Sequence, residues 1–158
     1  MRIESAAAEP VTLRVSALED PRQIGPVDLV LFTVKAYDSV NAARLLPPLL
    51  GAETAVLTLQ NGVDSVDVLI GAVGRPHVLG GLCQIFCRVA GPGIIRQTAG
   101  IRRVVLGELD GRLTPRAHAA HQAFAATGVP AELSGGSWST CGRSSSSSRQ
   151  SAASVRSR

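Results

Sequence analysis

Lysine is almost absent from this chain of 158 residues: fifteen of its sixteen basic side chains are arginine, and Lys35 is the exception. Aromatic residues are scarce too, five in all, which excludes an aromatic-rich binding surface and leaves the core to Val, Leu, Ile and Ala. No apolar run approaches the roughly 20 residues of a membrane span, so the chain reads as soluble, with no membrane partner. Three cysteines, an odd number, and no secretory-type N-terminus point to a reducing, cytoplasmic setting. Cys83 and Cys87 fall in a segment that alternates like a strand, where they sit roughly 13 Å apart at about 3.3 Å per residue and cannot bridge each other.

The formal charge of +4 invites a nucleic-acid reading, but its distribution argues against one. Residues 1 to 133 carry twelve basic and twelve acidic side chains, and the surplus lies in Arg143, Arg149, Arg156 and Arg158. The last 25 residues hold eleven serines, five of them consecutive at Ser144 to Ser148. Too little apolar surface is present there to offset the entropy of ordering, so residues 139 to 158 are expected to be disordered. This Ser/Arg tail lacks aromatic platforms for single-stranded nucleic acid apart from Trp138 at its edge.

Two apolar runs dominate what remains. Leu29 to Val34 ends in Lys35, and Ala55 to Leu59 ends in Gln60-Asn61-Gly62. Runs of this length read as strands buried on both faces, as in a parallel sheet, and such sheets bind ligands beyond the carboxyl ends of their strands. Lys35 and Asn61 therefore belong at the mouth of a site. Each also has a plain structural reading. A lysine after a strand is commonly a solvated cap, and Asn-Gly is a turn dipeptide.

Around these runs, Val11 to Val15 alternates and predicts a short or edge strand after a polar opening. Tyr37 to Leu46 has helical spacing, with Asp38 or Ser39 as cap, and Pro47-Pro48 ends it or forces a kink. Val63 to Ile70 predicts a second helix, and Val78-Leu79 begins a third strand. That alternation is a doubly wound pattern with parallel strands. Gln84 to Val89, Ile94 to Thr98 and Arg103 to Leu106 then read as a meander, separated by Gly91-Pro92-Gly93 and Ala99-Gly100. Thr114-Pro115 opens a last helix that Gly128 stops. The predicted class is α/β: an incomplete doubly wound Rossmann-like sheet with an antiparallel meander and a disordered tail.

His118 and His121 lie one helical turn apart but lack further ligands nearby, so they read as surface histidines and no metal is expected. His77 reads as a loop residue, and Glu108 and Asp110 as turn acids rather than an acid and base pair.

Val27 to Asp38, then Leu59-Gln60-Asn61-Gly62-Val63, Val78 to Gly81, Gly91-Pro92-Gly93 and Leu106-Gly107-Glu108, in this order and spacing, resemble the ketopantoate reductase family (2-dehydropantoate 2-reductase) over about residues 1 to 135. The resemblance implies an NADP-dependent oxidoreductase, with an N-terminal Rossmann-type domain and a C-terminal helical domain, reducing 2-dehydropantoate to pantoate on the route to pantothenate and coenzyme A. It implies that Lys35 and Asn61 line the crevice shared by the nicotinamide end of the cofactor and the 2-keto acid substrate. It also implies a homodimer for the intact enzyme.

Three departures accompany it. The family's Gly-x-Gly-x-x-Gly turn is absent, so residues 1–135 read as a partial nucleotide-binding domain missing its first strand and glycine-rich turn. Thr140 stands where the family's general-acid lysine follows the tryptophan, so no catalytic residue is assigned. Residues 136–158 replace the helical domain, as a shifted reading frame or truncated gene would produce. The resulting expectation is an inactive fragment that neither binds NADPH tightly nor turns over. Alternatives are a non-catalytic binding module with a basic tail, or a reductase of another 2-keto acid.

Overall fold

A computed structural model describes residues 1–5, 8–60, 64–136 and 138. Its centre is a mixed seven-stranded sheet, and the parallel part is built from the two apolar runs. Strand β3 (Val27–Phe32) pairs in parallel with β4 (Leu50–Thr58), Phe32 standing opposite Thr58. β4 in turn pairs in parallel with the start of β5 (Val78–Gly91), Val56 opposite Val78. Helix α1 (Ser39–Ala43) connects β3 to β4, and α2 (Asp64–Val73) connects β4 to β5.

β4 is buried on both faces, with Val56 and Leu57 fully excluded from solvent, and so is the start of β5 at Val78 and Leu79. β3 is not, contrary to the expectation from its sequence. It is the last strand in the order β2-β1-β6-β5-β4-β3, and Leu31 is 47% exposed. Its apolar run reflects one packed face and one open edge, which periodicity alone cannot separate from full burial.

The expected three-segment meander is instead one long hairpin. β5 runs antiparallel to β6 (Ile94–Glu108), turning at Gly93, which has a φ of 69°. Ala99-Gly100 does not break the chain. Irregular register between Gln84 and Cys87, with Phe86 opposite Ala99, absorbs that dipeptide within the ladder.

The polar opening also forms structure. β1 (Arg2–Ser5) pairs in parallel with β6, and β2 (Ala8–Thr12) pairs antiparallel with β1, displacing the strand expected at Val11 to Val15 toward the N-terminus. A short β7 (Ala131–Leu133) adds in parallel to the other end of β6.

The helix expected over Tyr37 to Leu46 is shorter than its spacing predicts: a 3-10 turn (Ala36–Asp38), then α1, then a second 3-10 turn begun by Pro47. Asp38 stands at the N-cap without a side-chain cap bond, and the Ser39 hydroxyl is engaged elsewhere. Helix α3 (Pro115–Ala126) follows its signals: the Thr114 side chain accepts from the Ala117 amide, Pro115 opens the first turn, and Gly128 ends it at a φ of 71°.

Two apolar clusters sandwich the sheet. Phe32, Val56 and Val78 of the sheet pack against Leu69 and Val73 of α2, while Leu57, Leu79, Val104 and Leu106 pack against Ala120 of α3. Trp138, assigned from sequence to the tail segment 136–158, lies against the first cluster. It covers Gly80 and Gly107, which face each other across β5 and β6. A Cβ at Gly80 would stand 2.5 Å from the indole Cγ, so only glycine admits the ring there. The expected disorder of residues 139 to 158 lies outside the described residues.

Candidate functional site

Because β3 and β4 are parallel and end level, the segments after them leave the sheet side by side. Lys35 follows β3, exposed, in extended backbone (φ −68°, ψ 146°) at the start of the 3-10 turn. Gln60 follows β4. Asn61, the second expected site residue, lies outside the described residues, so the structure brings together Lys35 and the residue preceding Asn61.

Four of the buried polar residues gather at this mouth: Ser39, Thr58, Gln60 and Ser65. A polar side chain taken out of water must find partners, and these find one another. The Gln60 Nε2 donates to the Val34 carbonyl and, at 2.9 Å, to the Ser39 hydroxyl. The Ser39 hydroxyl lies 3.5 Å from the Lys35 carbonyl, which also accepts from the Asp38 amide at 2.9 Å. On the other side, the Thr58 hydroxyl donates to the Ser65 hydroxyl at 3.2 Å and accepts from the Gln60 amide at 3.4 Å.

Both ends of the 61–63 segment are thus tied to the end of β4, and the Lys35 turn is tied to the same point. Sequence inspection marks Gln60-Asn61-Gly62 but gives no role to Gln60 or Thr58. Their partners are remote in the chain, and the only local signal was a polar cluster at the end of an apolar run.

The mouth has a third wall. β5 leaves β4 after Leu79 and continues to Gly91, carrying Ile85, Phe86 and Val89 exposed beyond the ends of β3 and β4. Gly81 is held against the end of β4, where an added Cβ would stand 2.6 Å from the Thr58 carbonyl oxygen. Cys83 and Cys87 are both free thiols on this wall, and burial, with Cys87 nearby, pushes the Cys83 thiol up, away from nucleophilic character.

A cleft of about 570 Å³ opens elsewhere, at the amino ends of β4 and β5, between Glu53, Arg75, Glu108, Arg112 and Arg116. The parallel-strand rule places ligands at the opposite edge. Four of the cleft's charges are committed in pairs, Glu108 with Arg116 and Asp110 with Arg112. Glu108 accepts from Arg116 Nε at 2.7 Å, Arg116 Nη2 at 2.6 Å and the Thr114 hydroxyl at 2.6 Å. Burial would raise the Glu108 carboxyl, but the Arg116 and Thr114 hydrogen bonds and the Arg116 charge outweigh it and hold the group below the usual range. Glu108 is therefore a buried ion-pair partner rather than a plain turn acid, while Asp110 does cap its turn through the Arg112 amide.

The histidines are spent on backbone: His118 Nδ1 on the Thr114 carbonyl, His121 Nε2 on the Ala131 carbonyl and His77 Nδ1 on the Thr54 carbonyl. Among the described residues no three His, Cys, Asp or Glu side chains group as metal ligands, and no helix is long and apolar enough to cross a membrane.

Parallel strands joined by helices, with a polar mouth at their carboxyl edge, define a Rossmann-like α/β protein. The chain belongs to the family of ketopantoate reductase PanE/ApbA, whose profile matches residues 1–111. It is 32% identical to the uncharacterized oxidoreductase YkpB of Bacillus subtilis over 70% of its own length and 36% of that protein's. It is 33% identical to the 2-dehydropantoate 2-reductase of Halobacterium salinarum over 73% of this chain and 38% of that one. The crystal structure of 2-dehydropantoate 2-reductase from Geobacter metallireducens superposes with a TM-score of 0.78 at 29% identity, over 85% of this chain and 44% of that one. The chain therefore spans between 36% and 44% of the length of these relatives.

Proposed function

We propose that this chain supplies the nicotinamide-side wall of the crevice in an NADP-dependent reductase of a 2-keto acid, 2-dehydropantoate being the favoured substrate. Residues 1–135 correspond in this reading to part of the nucleotide-binding domain. The observation that carries it is the meeting of the Lys35 turn and the Gln60 segment at the level ends of two parallel strands, in a chain of this family.

The residues present suit such a pair of ligands. Lys35 offers a compact ammonium, exposed at the mouth, and among the described residues no carboxylate forms an ion pair with it. A 2-keto acid brings a carboxylate and a carbonyl oxygen, and the cofactor's nicotinamide end brings a carboxamide oxygen; each accepts from an ammonium. The bound cofactor would supply hydride. Lys35 and Asn61 would orient the acceptor, and the exposed apolar wall of β5 would lower the local dielectric. Proton delivery falls outside this assignment, since Lys35 is the sole lysine and its role here is orientation.

The solitary lysine makes the reading testable at one atom. A chain labelled with ε-13C-lysine gives one side-chain signal. Millimolar NADPH together with 2-dehydropantoate is expected to move that signal, and an unmoved signal refutes the assignment. Replacing the substrate by other 2-keto acids in the same titration ranks the substrate class.

A further inference from the structure

The geometry points to Gln60 as a positioning residue: its buried carboxamide sets the Lys35 turn against the segment that carries Asn61. This inference rests on the crevice reading above and extends it to a side chain that faces inward rather than toward the ligand. Gln60 is 8% exposed and Ser39 4%. The carboxamide reaches across from the end of β4 to the chain on both sides of Lys35, at the Val34 carbonyl before it and at Ser39 after it.

Among the described residues the turn itself has little else to hold it. Tyr37 is 82% exposed, Val40 52%, and the 3-10 turn has no side-chain cap. Its direct cross-strand tie to β4 is the Leu59 amide on the Phe32 carbonyl, two residues before Val34. Past that point, Gln60 takes over the role that ladder hydrogen bonds play within the sheet. A glutamine is suited to this because one –NH2 group donates twice, here to a carbonyl and to a hydroxyl. Glutamate has the same shape, but its ionised carboxylate would face the Val34 carbonyl oxygen, acceptor against acceptor. Protonation would return one donor.

That difference supplies the test. Wild type, Gln60→Glu, Ser39→Ala and the surface control Gln122→Glu are each labelled at lysine ε-13C and followed by amide exchange. At neutral pH, Gln60→Glu is expected to displace the Lys35 signal and speed exchange of the Asp38 amide, which bonds the Lys35 carbonyl, by about tenfold. Acidification that protonates the introduced carboxyl returns both toward wild type, a reversal that a general loss of packing would not show. Ser39→Ala gives the same change at smaller amplitude and serves if Gln60→Glu does not fold.

Lys35 and Asp38 responses in both Gln60→Glu and Ser39→Ala that match Gln122→Glu overturn the inference. Titration with millimolar NADPH and 2-dehydropantoate separates it from the reading beneath. A wild-type signal that moves with ligand, and needs about tenfold more ligand in Gln60→Glu, supports both. Equal titration of the two proteins overturns the positioning role and leaves the crevice reading intact. A wild-type signal that ligand leaves unmoved refutes the crevice reading, while the pH-reversible displacement still establishes the clamp.

Discussion

Replacing Glu108 by glutamine removes one charge from the most buried ion pair of the described chain and keeps the shape of the side chain. The carboxylate takes three short hydrogen bonds, two from the Arg116 guanidinium and one from the Thr114 hydroxyl, and its side chain is 9% exposed against 24% for Arg116. Breaking a fully buried pair by removing one partner costs about 3–5 kcal/mol, mostly because the other charge is left without compensation. Arg116 keeps some water and its bond to the Pro76 carbonyl, so the expected loss is smaller, about 2–3 kcal/mol. For a domain of this size that is a fall in Tm of about 6–12 °C.

The assay is unfolding followed by the fluorescence of Trp138, the only tryptophan, whose amide donates to the Leu109 carbonyl one residue beyond Glu108. The pH dependence has a definite sign. A carboxyl held below its unfolded value stabilises the fold at pH above about 4.3, the unfolded glutamate value, and that contribution is lost as pH falls through the folded value. The gap between wild type and Glu108→Gln should therefore be full at pH 7 and close in acid. A double substitution, Glu108→Leu with Arg116→Leu, should recover most of the loss. A gap below about 1 kcal/mol at pH 7, or one that persists unchanged in acid, would refute the reasoning.

Three further outcomes follow from the packing. Gly80→Ala should cost about 1–3 kcal/mol, because the new methyl overlaps the Trp138 ring, and the cost should largely vanish in a Trp138→Ala background; urea unfolding of the four proteins followed by circular dichroism measures that coupling. Leu31→Lys, on the exposed face of the outermost strand, should reduce self-association seen by light scattering at matched concentration, with little change in Tm. Cys87 should react with a maleimide faster than Cys83, whose thiol is partly buried and raised, as peptide mapping of the alkylated chain would read.

What the sequence disclosed, and what it withheld, divides by the range of the interactions concerned. The ends of α3 were legible because Thr114, Pro115 and Gly128 act within one turn of where they stand. The succession from β3 to β5 was legible because apolar runs and turn residues alternate on the length scale of one element. Three things were not. β1 and the start of β2 read as polar because their apolar residues are few, and β1 owes its place to β6, far along the chain. Ala99-Gly100 resembled a turn, but a ladder with irregular register can take up such a pair without ending. Lys35 could be placed at a strand end from its neighbours, whereas the bonds of Gln60 to Val34 and Ser39 exist only once β3 and β4 lie side by side.

Thr58 gives this architecture a property that bears on how such proteins diversify. One hydroxyl at the end of β4 serves the residue just before the 61–63 segment and the residue just inside the helix after it. The anchor points are therefore independent of whatever side chains occupy positions 61 to 63. On the proposed reading, substitutions at these three positions are expected to change contacts to a ligand while leaving the Thr58 bonds to Gln60 and Ser65 in place. A library randomised at 61–63 and held constant at Thr58, Gln60 and Ser65 should consequently retain far more folded members than one randomised at the anchors.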